Sequence, residues 1–95
     1  MSAYVVANVS INDPESYKSY SSQVPDTIAM YGGKFLVRGG GSKVLEGEWE
    51  PARTVIIEFP DMDSLNNWYY SKEYQAIIGI RETAATSNVF VVEGV

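Results

Sequence analysis

Residues 3–11, AYVVANVSI, place Val5, Ala7, Val9 and Ile11 on one side of an extended chain and Tyr4, Val6, Asn8 and Ser10 on the other, because successive side chains of a strand point to opposite faces. The same two-residue period returns at 53–59, RTVIIEF, where Val55, Ile57 and Phe59 oppose Thr54, Ile56 and Glu58, and Pro60 ends the run. Shorter strand-like runs lie at 34–38, KFLVR, and at 88–93, NVFVVE. Segments of this kind hide their apolar sides only by pairing into a sheet and covering it.

Between them the period changes. Asp13 stands where a helix N-cap is needed, Pro14 suits the first helical position, and Glu15 complements the positive end of the helix dipole. Tyr17, Tyr20, Val24, Ile28 and Tyr31 then recur at spacings of three and four, which makes one amphipathic face. Pro25 lacks the N–H that a helix interior uses, so a break is expected near residues 22–25. Gly32 and Gly33 end the segment. After Pro60, Asp61 or Asp63 caps a short helix carrying Leu65, Trp68 and Tyr69, and Ser71 caps another carrying Tyr74, Ile77, Ile78 and Arg81.

The order is βαββαβ. Right-handed crossovers then favour a four-stranded antiparallel sheet of order 4-1-3-2 with the helices on one face, the ferredoxin-like arrangement, as a single domain over 1–95. Val5, Ala7, Val9, Ile11, Phe35, Val37, Val55, Ile57, Phe59, Val89 and Val91 share one parity, and the other holds Asn8, Arg38 and Glu58. Assigned to the face away from the helices, the apolar parity forms a patch larger than a monomer usually exposes, and a second copy is the simplest cover.

Composition narrows the function classes. The 95 residues carry a net charge of −5 with only seven Lys and Arg, and these are scattered, so the basic footprint that phosphate backbones require is missing and no nucleic-acid partner is expected. No cysteine and no histidine are present. Thiolate chemistry, a Ser-based triad and the commonest metal ligand all go with them, and neither a metal nor a cofactor is expected. The N-terminus MSAYVVANVS has neither a basic leader nor a long apolar run, so no signal peptide or membrane span is expected and a cytoplasmic protein is the default.

Within YGGKFLVRGGG, residues 31–41, the glycines are followed by extended chain rather than a helix, which argues for a bulge or sharp twist along an edge strand and against a phosphate loop. On the assigned faces Arg38 and Glu58 both point towards the helices. They either pair with one another or leave Arg38 as an anchor for an anion or carboxylate. Asn8, Trp68, Tyr74 and Arg81 complete a candidate pocket, with core packing as the alternative for Trp68 and Tyr74. Glu58 and Tyr74 are the candidates for moving a proton. Glu46, Glu48 and Glu50 read as a solvated hairpin connection over 46–51, EGEWEP.

YGGKFLVRGG, E-G-x-W-x-P-x-R at 46–53, E-F-P at 58–60, WYYSKEYQ and the closing VVEGV resemble, nearly end to end, a small family classed as a domain of unknown function within the dimeric α/β-barrel superfamily. The resemblance implies a ferredoxin-like protomer whose sheet packs on a second sheet as a homodimeric barrel. In the wider superfamily, cofactor-independent monooxygenases place an aromatic substrate between sheet and helices. W-x-x-S-x-x-Y, residues 68–74, resembles their helix segment, with Asn8 and Arg81 in polar roles. Haem, bound in other branches, is disfavoured without a histidine. Three readings follow: a homodimer with a pocket for an anionic or aromatic small molecule, a monooxygenase-like enzyme, and a non-catalytic assembly module.

Overall fold

The computed structural model describes every residue from Met1 to Val95. In chain order it comprises β1 (Ala3–Ile11), α1 (Pro14–Met30), β2 (Lys34–Arg38), β3 (Arg53–Phe59), α2 (Met62–Tyr69), α3 (Lys72–Ala84) and β4 (Ala85–Glu93). The strands form one antiparallel sheet in the order β2-β3-β1-β4. This is the ferredoxin-like topology expected above, its second helix divided in two. No helix is long and apolar enough to cross a membrane.

Local chemistry sets the boundaries. The Asp13 carboxylate accepts from the Ser16 amide at 3.2 Å, Asp61 rather than Asp63 accepts from the Ser64 amide at 2.7 Å, and the Ser71 hydroxyl accepts from the Tyr74 amide at 3.1 Å. Each cap satisfies a backbone donor and contributes about 1 kcal/mol. At the other end of α1, a Cβ on Gly33 would stand 2.6 Å from the Phe59 ring and 2.7 Å from Ile28, so only glycine lets the chain turn this closely under the core. β4 begins at Ala85, paired with Ile11, rather than at Asn88, because α3 passes into the strand with no intervening loop.

Pro25 does not break α1, which runs uninterrupted over Pro14–Met30. In a regular helix the amide of residue 25 would donate to the Ser21 carbonyl. Proline leaves that oxygen without its partner, and Arg38 Nη2 on β2 donates to it at 2.6 Å. The expected break is replaced by a bond from a neighbouring element.

The faces are the reverse of the sequence expectation. Ala3, Val5, Ala7, Val9, Val55, Ile57 and Phe59, the uniformly apolar parity, are buried with Tyr17, Tyr20, Val24 and Ile28 of α1, Leu65 and Trp68 of α2, and Tyr74, Ile77 and Ile78 of α3. Helices therefore cover the all-apolar side, and the mixed side faces outwards. That outer side still carries Val6, Ile56, Val37, Phe90 and Val92 beside Asn8, Thr54 and Glu58, as the register requires.

A register shift in β2 completes the correction. Lys34 pairs with Glu58 and Phe35 with Ile57, but Val37 pairs with Ile56 and Arg38 with Val55. One extra residue, centred on Leu36, sends Val37 to the outer face and turns Arg38 to the helix side. Residues 39–52 then connect β2 to β3 without regular structure, and Glu46, Glu48 and Glu50 lie exposed on this connection.

Candidate functional site

A cavity of about 250 Å³ lies between the sheet and the helices. Its floor is the apolar strand face, with Val5, Ala7, Val55 and Ile57, and its roof is aromatic, with Tyr17, Tyr20, Trp68 and Tyr74. The Trp68 and Tyr74 rings lie 4.1 Å apart between centroids. Trp68 Nε1 donates to Thr27 Oγ1 at 3.0 Å, and that hydroxyl donates to the Val24 carbonyl at 2.8 Å. The indole is thereby fixed in place where it lines the cavity.

Charge enters only as arginine. Arg38, Arg53 and Arg81, the chain's three arginines, all line the cavity, and no Asp or Glu does. The protein's one ion pair lies elsewhere, between Lys34 and Glu58 at 3.5 Å. Arg38 is the last residue of β2, Arg53 the first of β3, and Arg81 stands in the last turn of α3, where that helix hands over to β4. All three therefore gather at one end of the sheet. Arg38 stacks over Phe35 at 4.4 Å, and Arg53 faces the Tyr17 ring at 5.9 Å. Gly39, at φ +74°, leaves the room that Arg53 occupies, since a Cβ there would meet Arg53 Nε at 2.7 Å.

The hydroxyls of Tyr20 and Tyr74 share a buried hydrogen bond of 2.8 Å. Whichever phenol donates, the other retains a proton to offer the cavity. Burial, reinforced by the neighbouring Tyr74, pushes the Tyr20 phenol far above its ordinary value, so it stays neutral. Burial also opposes the charge on Arg81, but the oxygens of Tyr74 and Tyr20 more than offset this and hold its pKa above the usual arginine value. The polar end thus gathers guanidinium donors around the protonated Tyr20 phenol, an arrangement suited to receiving an anion and poorly suited to abstracting a proton.

The cavity includes four of the sequence-selected residues, Arg38, Trp68, Tyr74 and Arg81. Asn8 and Glu58 lie on the opposite face. Asn8 donates to the Ala52 carbonyl at 3.3 Å and accepts from the Ala52 amide at 2.7 Å, tying down the entry to β3. Glu58 accepts from Tyr4 at 3.1 Å and pairs with Lys34. Hydrogen bonds from Ser2 and then Tyr4, with Lys34 beside it, hold its pKa below the ordinary glutamate value. The expected Arg38 and Glu58 pair does not form, because the register places them on opposite sides of the sheet. Arg53 joins them although residue type alone does not single it out; its parity with Val55 and Ile57 points it to the helix-covered face.

The fold recurs in solved structures. A protein of unknown function from Rhodopseudomonas palustris superposes with a TM-score of 0.80 at 17% identity, over 99% of this chain and 82% of its own. A dimeric ferredoxin-like protein of unknown function from Jannaschia sp. CCS1 gives 0.73 at 10% identity, over 99% and 100%. SnoaB, a cofactor-independent oxygenase from Streptomyces nogalater, gives 0.66 at 12% identity, over 99% and 93%. At these identities the likeness is one of fold. No curated protein matches the chain. A family model described as a domain of unknown function, DUF1330, matches residues 2–95, and with nearly its whole length inside that model the chain belongs to this family.

Proposed function

We propose that the protein is a homodimer in which each protomer binds a small organic anion in the cavity between sheet and helices. The observation that carries this reading is the convergence of all three arginines on a cavity without an acidic residue, in a chain of net charge −5. A guanidinium presents a planar fork of donors that matches a carboxylate, and the uncommitted phenol proton adds a neutral donor. The dimeric relative from Jannaschia sp. CCS1 and the apolar residues of the outer sheet face support the homodimer.

Calorimetric titration with a panel of carboxylic acids and their uncharged amides tests the binding reading. Acids are expected to bind at least about tenfold more tightly than their amides, the value of one charge-assisted hydrogen bond. Arg53→Gln, which keeps most of the side-chain bulk, should remove that preference. Equal binding of acid and amide, or an unchanged preference in a folded Arg53→Gln protein, overturns it.

An oxygenase reading is favoured by one observation, the Trp68 and Tyr74 stack inside a cavity on a fold shared with SnoaB. It is second because the cavity holds no carboxylate, the chain has no histidine, and Tyr20 stays protonated. Oxygen uptake with hydroquinones, lost in Trp68→Phe, would put it first; a flat trace removes it.

A further inference from the structure

We infer that the anion this cavity takes is an elongated monocarboxylic acid, its carboxylate at the arginines and its hydrocarbon body running along the sheet to emerge at the β4 edge. This rests on the binding reading above and adds the shape and direction of the ligand.

The register gives the direction. Arg53 pairs with Val9 on β1, whereas Val91 of β4 pairs with Val5, and both Arg53 and Val91 line the cavity. Four residues along β1 and two strand spacings therefore separate its cationic end from its far end, about 13 Å along the strands and about 10 Å across them. A volume of about 250 Å³ drawn out along that diagonal makes a channel about one hydrocarbon chain wide rather than a round chamber.

The chemistry changes along the same line. Beyond the arginines and the phenol pair the floor is Ala7, Val55, Ile57 and Val5, and the roof is Trp68 and Leu65. The far end is open and apolar: Val89 is 41% exposed, Val91 46% and Tyr70 74%. A compact acid held at the arginines would leave this end wet. An extended chain would cover the floor and pass out where the rim is already apolar.

Titration with straight-chain saturated acids from hexanoate to dodecanoate tests the inference, beside benzoate and naphthoate as compact probes. Affinity should tighten about fourfold for each added methylene, then level off once the chain reaches the opening. Val91→Glu should abolish the gain for the longer acids, weakening dodecanoate far more than hexanoate. Tyr70→Ala, at an exposed position, should remove only the last increments and serves where Val91→Glu does not fold. Acid binding that depends on Arg53 but is indifferent to chain length, or is tighter for the compact acids, overturns the inference and leaves the binding reading standing. Absence of binding for every acid overturns both.

Discussion

Pro25 and Arg38 explain one another. The imino acid frees the Ser21 carbonyl, and the guanidinium that takes it up is also part of the cavity wall. Arg38→Ala should therefore cost about 1 kcal/mol of stability in the wild-type chain and close to nothing in Pro25→Ala, where a backbone amide returns to serve Ser21. A double-mutant cycle measured by urea denaturation reads this coupling directly; equal costs in the two backgrounds would deny it. This contact also marks a limit of reading the chain residue by residue. A helix interior proline predicts a break, and whether the freed oxygen finds a donor depends on a strand thirteen or more positions away that only the folded molecule brings near.

At the scale of elements, the caps and turn residues made most of the architecture readable. Asp13 with Pro14, Gly32 with Gly33, Pro60 with Asp61, and Ser71 all act locally, so their meaning survives without tertiary context. The side of the sheet that the helices cover was not readable in the same way, because alternation says which residues share a face and not which face is roofed. β2 adds a second ambiguity. Its extra residue shifts the parity of everything after it, and it falls at Leu36 rather than at the glycines where a bulge was expected; Arg38 points inwards as expected only because the reversed face and this displaced bulge cancel. Glu58, on the regular strand β3, had no such compensation and fell on the wrong side. Deleting Leu36, which is 49% exposed, should restore an unbroken ladder with Arg38 still opposite Val55. We expect that deletion to stay within about 1 kcal/mol of the parent and to retain acid binding, whereas loss of binding in a folded deletion variant would show that the bulge itself shapes the site.

For the whole molecule, the proposed homodimer rests on the outer sheet face. Val6, Ile56, Val37, Phe90 and Val92 make it apolar enough to want a cover, with Asn8, Glu58 and Lys34 providing polar register around them. Phe90→Asp is expected to convert a dimer to a monomer in sedimentation velocity at dilute concentration, with little change in helical circular dichroism. A wild-type chain that is already monomeric there would remove the homodimer. The candidate site itself was half legible: Arg38, Trp68, Tyr74 and Arg81 could be selected by residue type, but their convergence with Arg53 depends on the handover from α3 to β4 at Ala85, which no local signal announced.

Gathering every arginine at the cavity has an effect on the rest of the surface as well. The remaining surface is left more acidic than the net charge of −5 suggests, so an approaching anion crosses a repulsive field before it meets an attractive one. Added salt screens the exposed outer charges more than the half-buried Arg53 and Arg81. On the proposed binding reading, capture is hastened by ionic strength even as the final grip is loosened, and small, highly charged anions are disfavoured against those whose charge rides on a greasy body.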